Sequence, residues 1–226
     1  MKKIALAIIA LATLASCNNG KIKIKNDSLS MYHLEEEQII AESKMPISYT
    51  SENEFNASVD DEGLVTAHCI GETKIKLSTD DDVKYVDVKV KPKHNLYIIP
   101  DISFGENRES VISKLGEPDS ENSNGVISYN NYCLVGITMM ISFENGKMDS
   151  FAFVIPSSYY SRLTDFLAER YMTVGTSNGV IYLVDAISPS SATYYIGVSY
   201  YSGNYVVLYM DPTTKDRNTS KIIELL

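Results

Sequence analysis

The first half of the chain alternates polar and apolar residues over short stretches that are separated by turns. Residues 74–77 and 83–90 show this most clearly, since apolar side chains recur there at every second position. A period of two predicts β-strands with one buried face. Residues 59–65 read as a hairpin whose turn contains Gly63. Several short strands without a helical period predict a small β-sandwich over residues 28–91.

The pattern changes after a polar, proline-containing linker at residues 92–95, which we take as a domain boundary. In residues 96–226, apolar positions on one face predict a helix over residues 107–115, with Gly116 as its stop and Pro118 preventing its continuation. The dipeptide Asn145-Gly146 indicates a hairpin turn. Strands are predicted at residues 96–99, 126–129, 132–143 and 147–155.

The same order of elements then recurs about 50 residues further along the chain. A second helix is predicted at residues 158–171, and it is followed by strands at 180–184, 193–200 and 205–210. The second half is therefore predicted to be an α+β domain made of two units, each a helix plus three antiparallel strands.

The chain begins with two lysines, Lys2 and Lys3, followed by an apolar run over residues 4–15. This is the pattern of a secretory signal, and the run is shorter than the roughly 20 residues that span a bilayer. The run ends Leu14-Ala15-Ser16-Cys17, which resembles the lipobox of bacterial lipoproteins. An ordinary signal peptide with a chance cysteine is the alternative.

The lipobox resemblance implies removal of residues 1–16 and lipid attachment at Cys17. It places the protein in the cell envelope as an outer-membrane lipoprotein and leaves the periplasmic or surface face open. Two or more acyl chains would hold it stably on the membrane. Residues 17–27 are predicted to be a lipidated flexible tether or the lead-in to a first strand. Asp27-Ser28-Leu29 resembles the O-glycosylation acceptor of Bacteroidota.

The net negative charge of the chain argues against partners that are themselves strongly negative. The chain has 20 Lys and Arg against 29 Asp and Glu, and loss of Lys2 and Lys3 with the leader leaves 18 against 29, a net charge of −11. Such a surface repels nucleic-acid phosphates, so we expect no nucleic-acid partner. It also repels anionic headgroups, so the acyl group would hold the membrane. The sequence has no phosphate-binding glycine loop and no dinucleotide fingerprint, and we expect no cofactor.

Four segments of the first half occur in the order of a known family. Residues 47–53, 57–60, 63–67 and 71–75 resemble the group 2 bacterial immunoglobulin-like domain of intimins and invasins. Tyr49 stands at the family's usual tryptophan, and His68-Cys69 replaces small apolar residues. The resemblance implies an all-β immunoglobulin-like (Ig-like) sandwich that acts as a spacer or adhesion module, followed here by the α+β domain.

A second resemblance covers Phe104-Gly105 and residues 111–118, which include Leu115-Gly116-Glu117-Pro118. These residues are similar to small outer-membrane assembly lipoproteins and to folds like the β-lactamase-inhibitor protein. The resemblance implies helices against an antiparallel sheet and a role in binding proteins. A generic α+β domain with the same helix stop is the alternative.

Cysteines and tyrosines each leave two interpretations. Cys69 and Cys133 are assigned to different domains, so two separate buried thiols are favoured over a disulfide. The neighbours Val135 and Ile137 predict a buried strand position for Cys133. The 16 tyrosines are expected mostly at half-buried strand positions, and a ligand-binding face is the alternative.

Candidate catalytic and metal-binding groups do not form a recognisable pattern. Residues 175–179 match G-x-S-x-G, but a nucleophile elbow needs a strand before the serine and a helix after it. The predicted order is the reverse, and His33, His68 and His94 all precede the serine, so we predict a turn. Acidic runs at 35–37, 60–62 and 80–82 lack EF-hand spacing and are expected to be solvated, so no metal is expected.

The sequence therefore favours a non-catalytic lipoprotein whose α+β domain binds a protein or glycan partner. An assembly or inhibitor-like factor that binds an outer-membrane protein is the second hypothesis. A hydrolase with a carboxylate pair is the third, because paired acids can be distant in sequence.

Overall fold

The computed structural model describes residues 20–213 of the chain. The predicted leader 1–16, the predicted lipid-attachment residue Cys17 and residues 214–226 lie outside the described part. In the described part, no helix has the length and apolar character needed to cross a membrane.

The first domain consists of two facing sheets. One has the strand order β2-β9-β8-β5 and the other β3-β7-β6, while β1 and β4 form a separate pair. The strands are β1 (Lys23–Ile24), β2 (Ser28–Tyr32), β3 (Glu36–Gln38), β4 (Ala41–Glu42), β5 (Ser48–Ser51), β6 (Ala57–Val59), β7 (Leu64–Ala67), β8 (Gly71–Ser78) and β9 (Val83–Lys91).

This strand order is the order of an Ig-like sandwich. An Ig domain pairs strands B, E and D in one sheet and C, F and G in the other. Here β3, β7 and β6 take the first set of places and β5, β8 and β9 take the second. Strand β2 lies beside β9 in parallel, whereas the other pairings within the two sheets are antiparallel. The predicted Ig-like sandwich is confirmed.

The alternating pattern of β8 and β9 produces the core between the sheets. Ile75 and Leu77 of β8 and Val86 of β9 are fully buried and pack against Val65 and other residues of the facing sheet. The intervening polar residues form exposed cross-strand ion pairs, Lys74–Asp87 and Lys89–Glu72. Exposed pairs add little to stability, so the buried apolar face holds the domain together.

The described part of the predicted tether, residues 20–27, is packed onto the sandwich. Ile22 is buried at 5% exposure, and β1 pairs with β4. The Ile22 amide donates to Asp82 Oδ2 at 2.9 Å, and the Thr79 hydroxyl donates to the Gly20 carbonyl at 2.5 Å. A flexible tether over this range is therefore wrong, and the lead-in to a strand is what the structure shows.

Over its described residues, which end at Thr213, the second domain is a single eight-stranded antiparallel sheet with two helices packed on one face. The strand order is β10-β11-β12-β13-β17-β16-β15-β14. The elements are α1 (Arg108–Leu115), β10 (Ser120–Glu121), β11 (Ile127–Tyr129), β12 (Thr138–Glu144), β13 (Lys147–Pro156), α2 (Tyr160–Ala168), β14 (Met172–Ser177), β15 (Val180–Val184), β16 (Tyr195–Tyr201) and β17 (Asn204–Met210), with 3-10 turns at Ser157–Tyr159 and Pro189–Ser191.

The predicted repeat is present, but each unit has four strands rather than three. A helix is followed by a four-strand meander twice, and the last strands, β13 and β17, pair at the centre of the sheet. The two missed strands, β10 and β14, are the outer edges. Strand β10 has two exposed polar residues, and the alternation of β14 stops after Met172 and Val174, so neither carries a full period-two signal.

Other sequence expectations fail where apolar residues lie outside strands. Residues 96–99 form no strand, although Leu96 and Tyr97 are buried; the Tyr97 ring stacks on Phe153 with 4.0 Å between centroids. The segment 132–137 is a loop that precedes β12. Cys133 lies in it with a positive φ of 64° and is exposed, so the buried strand position predicted for it is wrong.

The two domains have separate cores. In the second, Val111 of α1 and Phe166 of α2 pack with Phe151, Phe153 and Tyr209 of the central strands. Cys69 and Cys133 are free thiols, and Cys69 is buried in the first domain whereas Cys133 is exposed, so only Cys69 matches the predicted pair of buried thiols.

Candidate functional site

The end of α2 joins the two domains. The Glu169 side chain, only 1% exposed, accepts hydrogen bonds at 3.0 Å from the linker amides of Lys93 and His94. Its backbone carbonyl accepts from the Ile70 amide of the first domain at 2.8 Å. The Arg170 guanidinium pairs with the same carboxylate and lies over the Phe166 ring. One residue therefore holds the linker and the first domain against α2.

A cavity of about 460 Å³ lies beside this joint. It falls in the size range of ligand pockets, which are common at domain interfaces. Both domains contribute to its walls: His33, Glu54, Phe55, Ser58, His68 and Cys69 come from the first, and Ala168, Tyr171, Met172, Thr173 and Ile187 come from the second.

Two of the sequence histidines meet in this cavity. His68 Nε2 lies 2.8 Å from the Ser58 hydroxyl, and His33 Nδ1 donates to the His68 carbonyl at 2.6 Å. Within residues 20–213, His68 Nδ1 has no hydrogen-bond partner that would orient the ring as a general base. Among the described residues, Glu54 is the single acid in the lining, whereas a carboxylate mechanism needs two. Ser58 and His68 therefore lack the third group of a catalytic triad.

The remaining candidate groups are engaged elsewhere. Burial raises the pKa of the Cys69 thiol to about 11, so it is not a thiolate at neutral pH. His94 lies outside the cavity, with Nδ1 3.9 Å from Asp165 Oδ2. Asp60 Oδ1 accepts from the amides of Glu62 and Leu64, as expected of an acidic turn. Over the described range, no three His, Cys, Asp or Glu side chains converge as a metal site.

The G-x-S-x-G segment forms a hairpin. Strand β14 ends at Ser177, Asn178 and Gly179 make the turn with positive φ values of 51° and 76°, and β15 follows at Val180. Two consecutive positive φ angles are typical of a type I′ turn. No helix follows Ser177, so this serine is not at a nucleophile elbow.

A cluster of tyrosines on the second domain is the surface best suited to binding. Tyr160 stacks on Tyr205 with 5.3 Å between ring centroids, and Tyr200 meets Tyr205 edge-on at 5.1 Å. Tyr160 is 56% exposed and Tyr200 60% exposed. We call Tyr160, Tyr200 and Tyr205 the tyrosine surface.

Three elements, β16, β17 and α2, bring the tyrosine surface together. Tyr200 of β16 and Tyr205 of β17 are directly opposed in the hairpin register, and Tyr160 is the first residue of α2. Ile181, 44% exposed, lies on the same sheet face opposite Val198, two residues from Tyr200. These side chains place exposed apolar surface on one face of the sheet, which makes it a candidate interaction surface.

The tyrosine surface lies at the end of the sheet that is remote from the first domain. Strand β17 runs from Asn204, beside the tyrosines, to Met210, which pairs with Tyr195. Tyr195 in turn pairs with Val184, and Val184 pairs with Met172, a residue of the cavity wall. This cluster could not be predicted from the sequence, because its members come from elements 40 residues apart and share no periodic pattern. The number of tyrosines was the only available signal.

Comparisons with known proteins give little beyond the fold. No family model and no curated protein sequence matches the chain. An intimin mutant from EHEC O157:H7 aligns at 13% identity over 83% of this chain and 98% of its own, with a TM-score of 0.29. Domains 5–6 of the S-layer protein SbsC align at 12% identity over 84% of this chain and 83% of their own, also at 0.29. The fold assignment therefore rests on strand order and register.

Proposed function

We propose that this protein is a non-catalytic lipoprotein of the cell envelope that binds a partner protein through the tyrosine surface. The Ig-like domain serves as a spacer, and lipid on Cys17 holds the chain on the membrane. The observation that carries the proposal is the cluster of Tyr160, Tyr200 and the half-buried Tyr205 at the end of the second domain remote from the first, in which the rings of Tyr160 and Tyr200 are exposed.

Tyrosine is well suited to this role. Its ring contributes a large apolar contact area, its hydroxyl can hydrogen-bond, and only two side-chain torsions are fixed on binding. Tyrosines are enriched among the residues that dominate binding energy at protein interfaces. In the tyrosine surface the rings already contact one another, which reduces the entropy lost when a partner binds.

The assembly or inhibitor-like hypothesis is a narrower form of the same proposal. Its support is the architecture of the second domain, in which two helices cover one face of an antiparallel sheet, as the resemblance around Gly116 and Pro118 implies. In this form the partner is an outer-membrane protein.

The test is capture from the native envelope with the full-length, acylated protein as bait. The informative variant is Tyr160→Ser combined with Tyr200→Ser, and the matched control is Tyr85→Ser, which removes a tyrosine of similar exposure from the first domain. We expect one protein to be retained by the wild type and the control and lost from the double variant.

Retention that is equal in all three baits would overturn the tyrosine surface as the binding site. Capture of no protein, together with binding to a glycan array that the double variant loses, would replace the protein partner with a glycan. Turnover of an envelope substrate that disappears in Ser58→Ala would overturn the non-catalytic assignment.

A further inference from the structure

The start of the described chain is fixed to one end of the Ig-like domain. Two side chains of the β8–β9 turn hold it: Thr79 Oγ1 donates to the Gly20 carbonyl at 2.5 Å, and Asp82 Oδ2 accepts from the Ile22 amide at 2.9 Å. Gly20 is buried, and a Cβ at that position would lie 2.8 Å from Asp81 Cβ. The Ile22 side chain is part of the core of the sandwich.

Very little chain separates this attachment from Cys17. Only Asn18 and Asn19 lie between Cys17 and Gly20. Three fully extended steps span at most about 11 Å, so the Cα atoms of Cys17 and Gly20 cannot be further apart than that.

The opposite end of the same hairpin contacts the second domain. Strand β8 begins at Gly71, next to Ile70, whose amide donates to the Glu169 carbonyl. Strand β9 ends at Lys91, just before the linker whose Lys93 amide donates to the Glu169 side chain. The eight residues of β8 separate the two ends by about 26 Å.

From these contacts we infer that the β8–β9 turn, residues 79–82, is the membrane-facing end of the protein. The short stretch of chain between Cys17 and Gly20 holds this turn close to the lipid headgroups. The inference rests on the proposed lipid at Cys17. The Ig-like domain then stands away from the bilayer along β8 and β9. The second domain lies beyond it, and the tyrosine surface faces outward from the membrane.

The charge at this end identifies the kind of lipid surface that it fits. The turn carries three consecutive aspartates, Asp80 to Asp82, which the two neighbouring lysines Lys21 and Lys84 offset only in part. A negatively charged turn held close to headgroups is repelled by anionic lipids. A zwitterionic surface is therefore the compatible one.

Energy transfer to the membrane surface tests the orientation. Full-length acylated protein is reconstituted in phosphatidylcholine vesicles that carry an acceptor dye on some headgroups. One sample has a donor dye on Asp80→Cys in a Cys133→Ser background, and the other has it on the native Cys133. Cys69 is buried and does not compete for the dye. We expect transfer from position 80 to be several-fold stronger than transfer from position 133.

A matched variant with about ten Gly and Ser residues inserted between Asn19 and Gly20 provides the control. This flexible insertion should weaken transfer from position 80 while the vesicles still carry the protein. Equal transfer from positions 80 and 133, or no effect of the insertion, would overturn the orientation and leave the proposed function standing. Protein that does not float with the vesicles would overturn the lipid anchor, and with it both proposals.

Discussion

Three buried tyrosine hydroxyls in the core of the second domain depend on one another. Tyr209 OH lies 2.9 Å from Tyr97 OH and 3.2 Å from Tyr171 OH, and all three residues are buried. A buried polar group left without a partner costs more free energy than an ordinary hydrogen bond contributes. Tyr209 is the shared member, so the network should depend on its hydroxyl.

We expect Tyr209→Phe to lower the free energy of unfolding by about 1–3 kcal/mol, because it leaves the hydroxyls of Tyr97 and Tyr171 unpaired. Urea unfolding measures the change. Tyr85→Phe, which removes an exposed hydroxyl, should change it little. If the two variants are equally stable, the hydroxyl network of Tyr97, Tyr171 and Tyr209 contributes nothing to the free energy of unfolding.

The same network predicts a loss of stability in alkali. Burial is the main cause that raises the pKa of Tyr171 to about 12 from the ordinary 10.0. Between these values the unfolded chain has lost the proton and the folded one keeps it, so stability present below pH 10.0 is lost as the pH rises towards about 12. Urea unfolding over this range should show a shallower loss for Tyr171→Phe than for the wild type. Parallel curves would contradict the assignment.

At the scale of elements, strands of the second domain with a neighbour on both sides were predictable, and its two edge strands were not. Strand β15 has the predicted bounds, Val180–Val184, because it is a continuous apolar run. Strand β14 was missed because it lies at an edge and has few apolar residues. Val135 was misleading in the opposite way, since it is apolar yet 80% exposed in a loop. Composition cannot distinguish such a residue from a core residue.

Helix α1 was predictable from local residues, because its stop at Gly116 is where the helix ends in the structure. Asn107 Oδ1 accepts from the Ser110 amide at 2.8 Å, and Gly116, with a φ of 89°, ends the helix. We expect Asn107→Ala to cost about 1 kcal/mol in urea unfolding, since a helix amide loses its acceptor. Asn107→Asp keeps an acceptor and should be close to the wild type. A loss as large as that of alanine would show that the cap does not act through this hydrogen bond.

At the scale of the whole molecule, the joint at Glu169 could not be foreseen. The carboxylate meets linker amides 75 and 76 residues away, and no periodic pattern records such a contact. The tyrosine surface escaped prediction for the same reason. The two domains and their approximate boundary could be predicted from the sequence, whereas contacts between residues distant in sequence could not.

The joint predicts that the two domains unfold together. Glu169→Ala removes the acceptor of two linker amides and the partner of Arg170, and we expect it to cost about 2–4 kcal/mol. It should also split a single calorimetric transition into two, as the domains separate. Glu117→Ala, at an exposed site, is the control. One transition at an unchanged temperature would show that Glu169 does not couple the domains.

We propose that the tyrosine surface binds a partner protein beyond an Ig-like spacer. The amount of partner captured from the envelope by the wild type, by Tyr160→Ser with Tyr200→Ser, and by Tyr85→Ser tests this proposal. We expect one protein to be lost only from the double variant. The same protein retained equally by all three baits would contradict it.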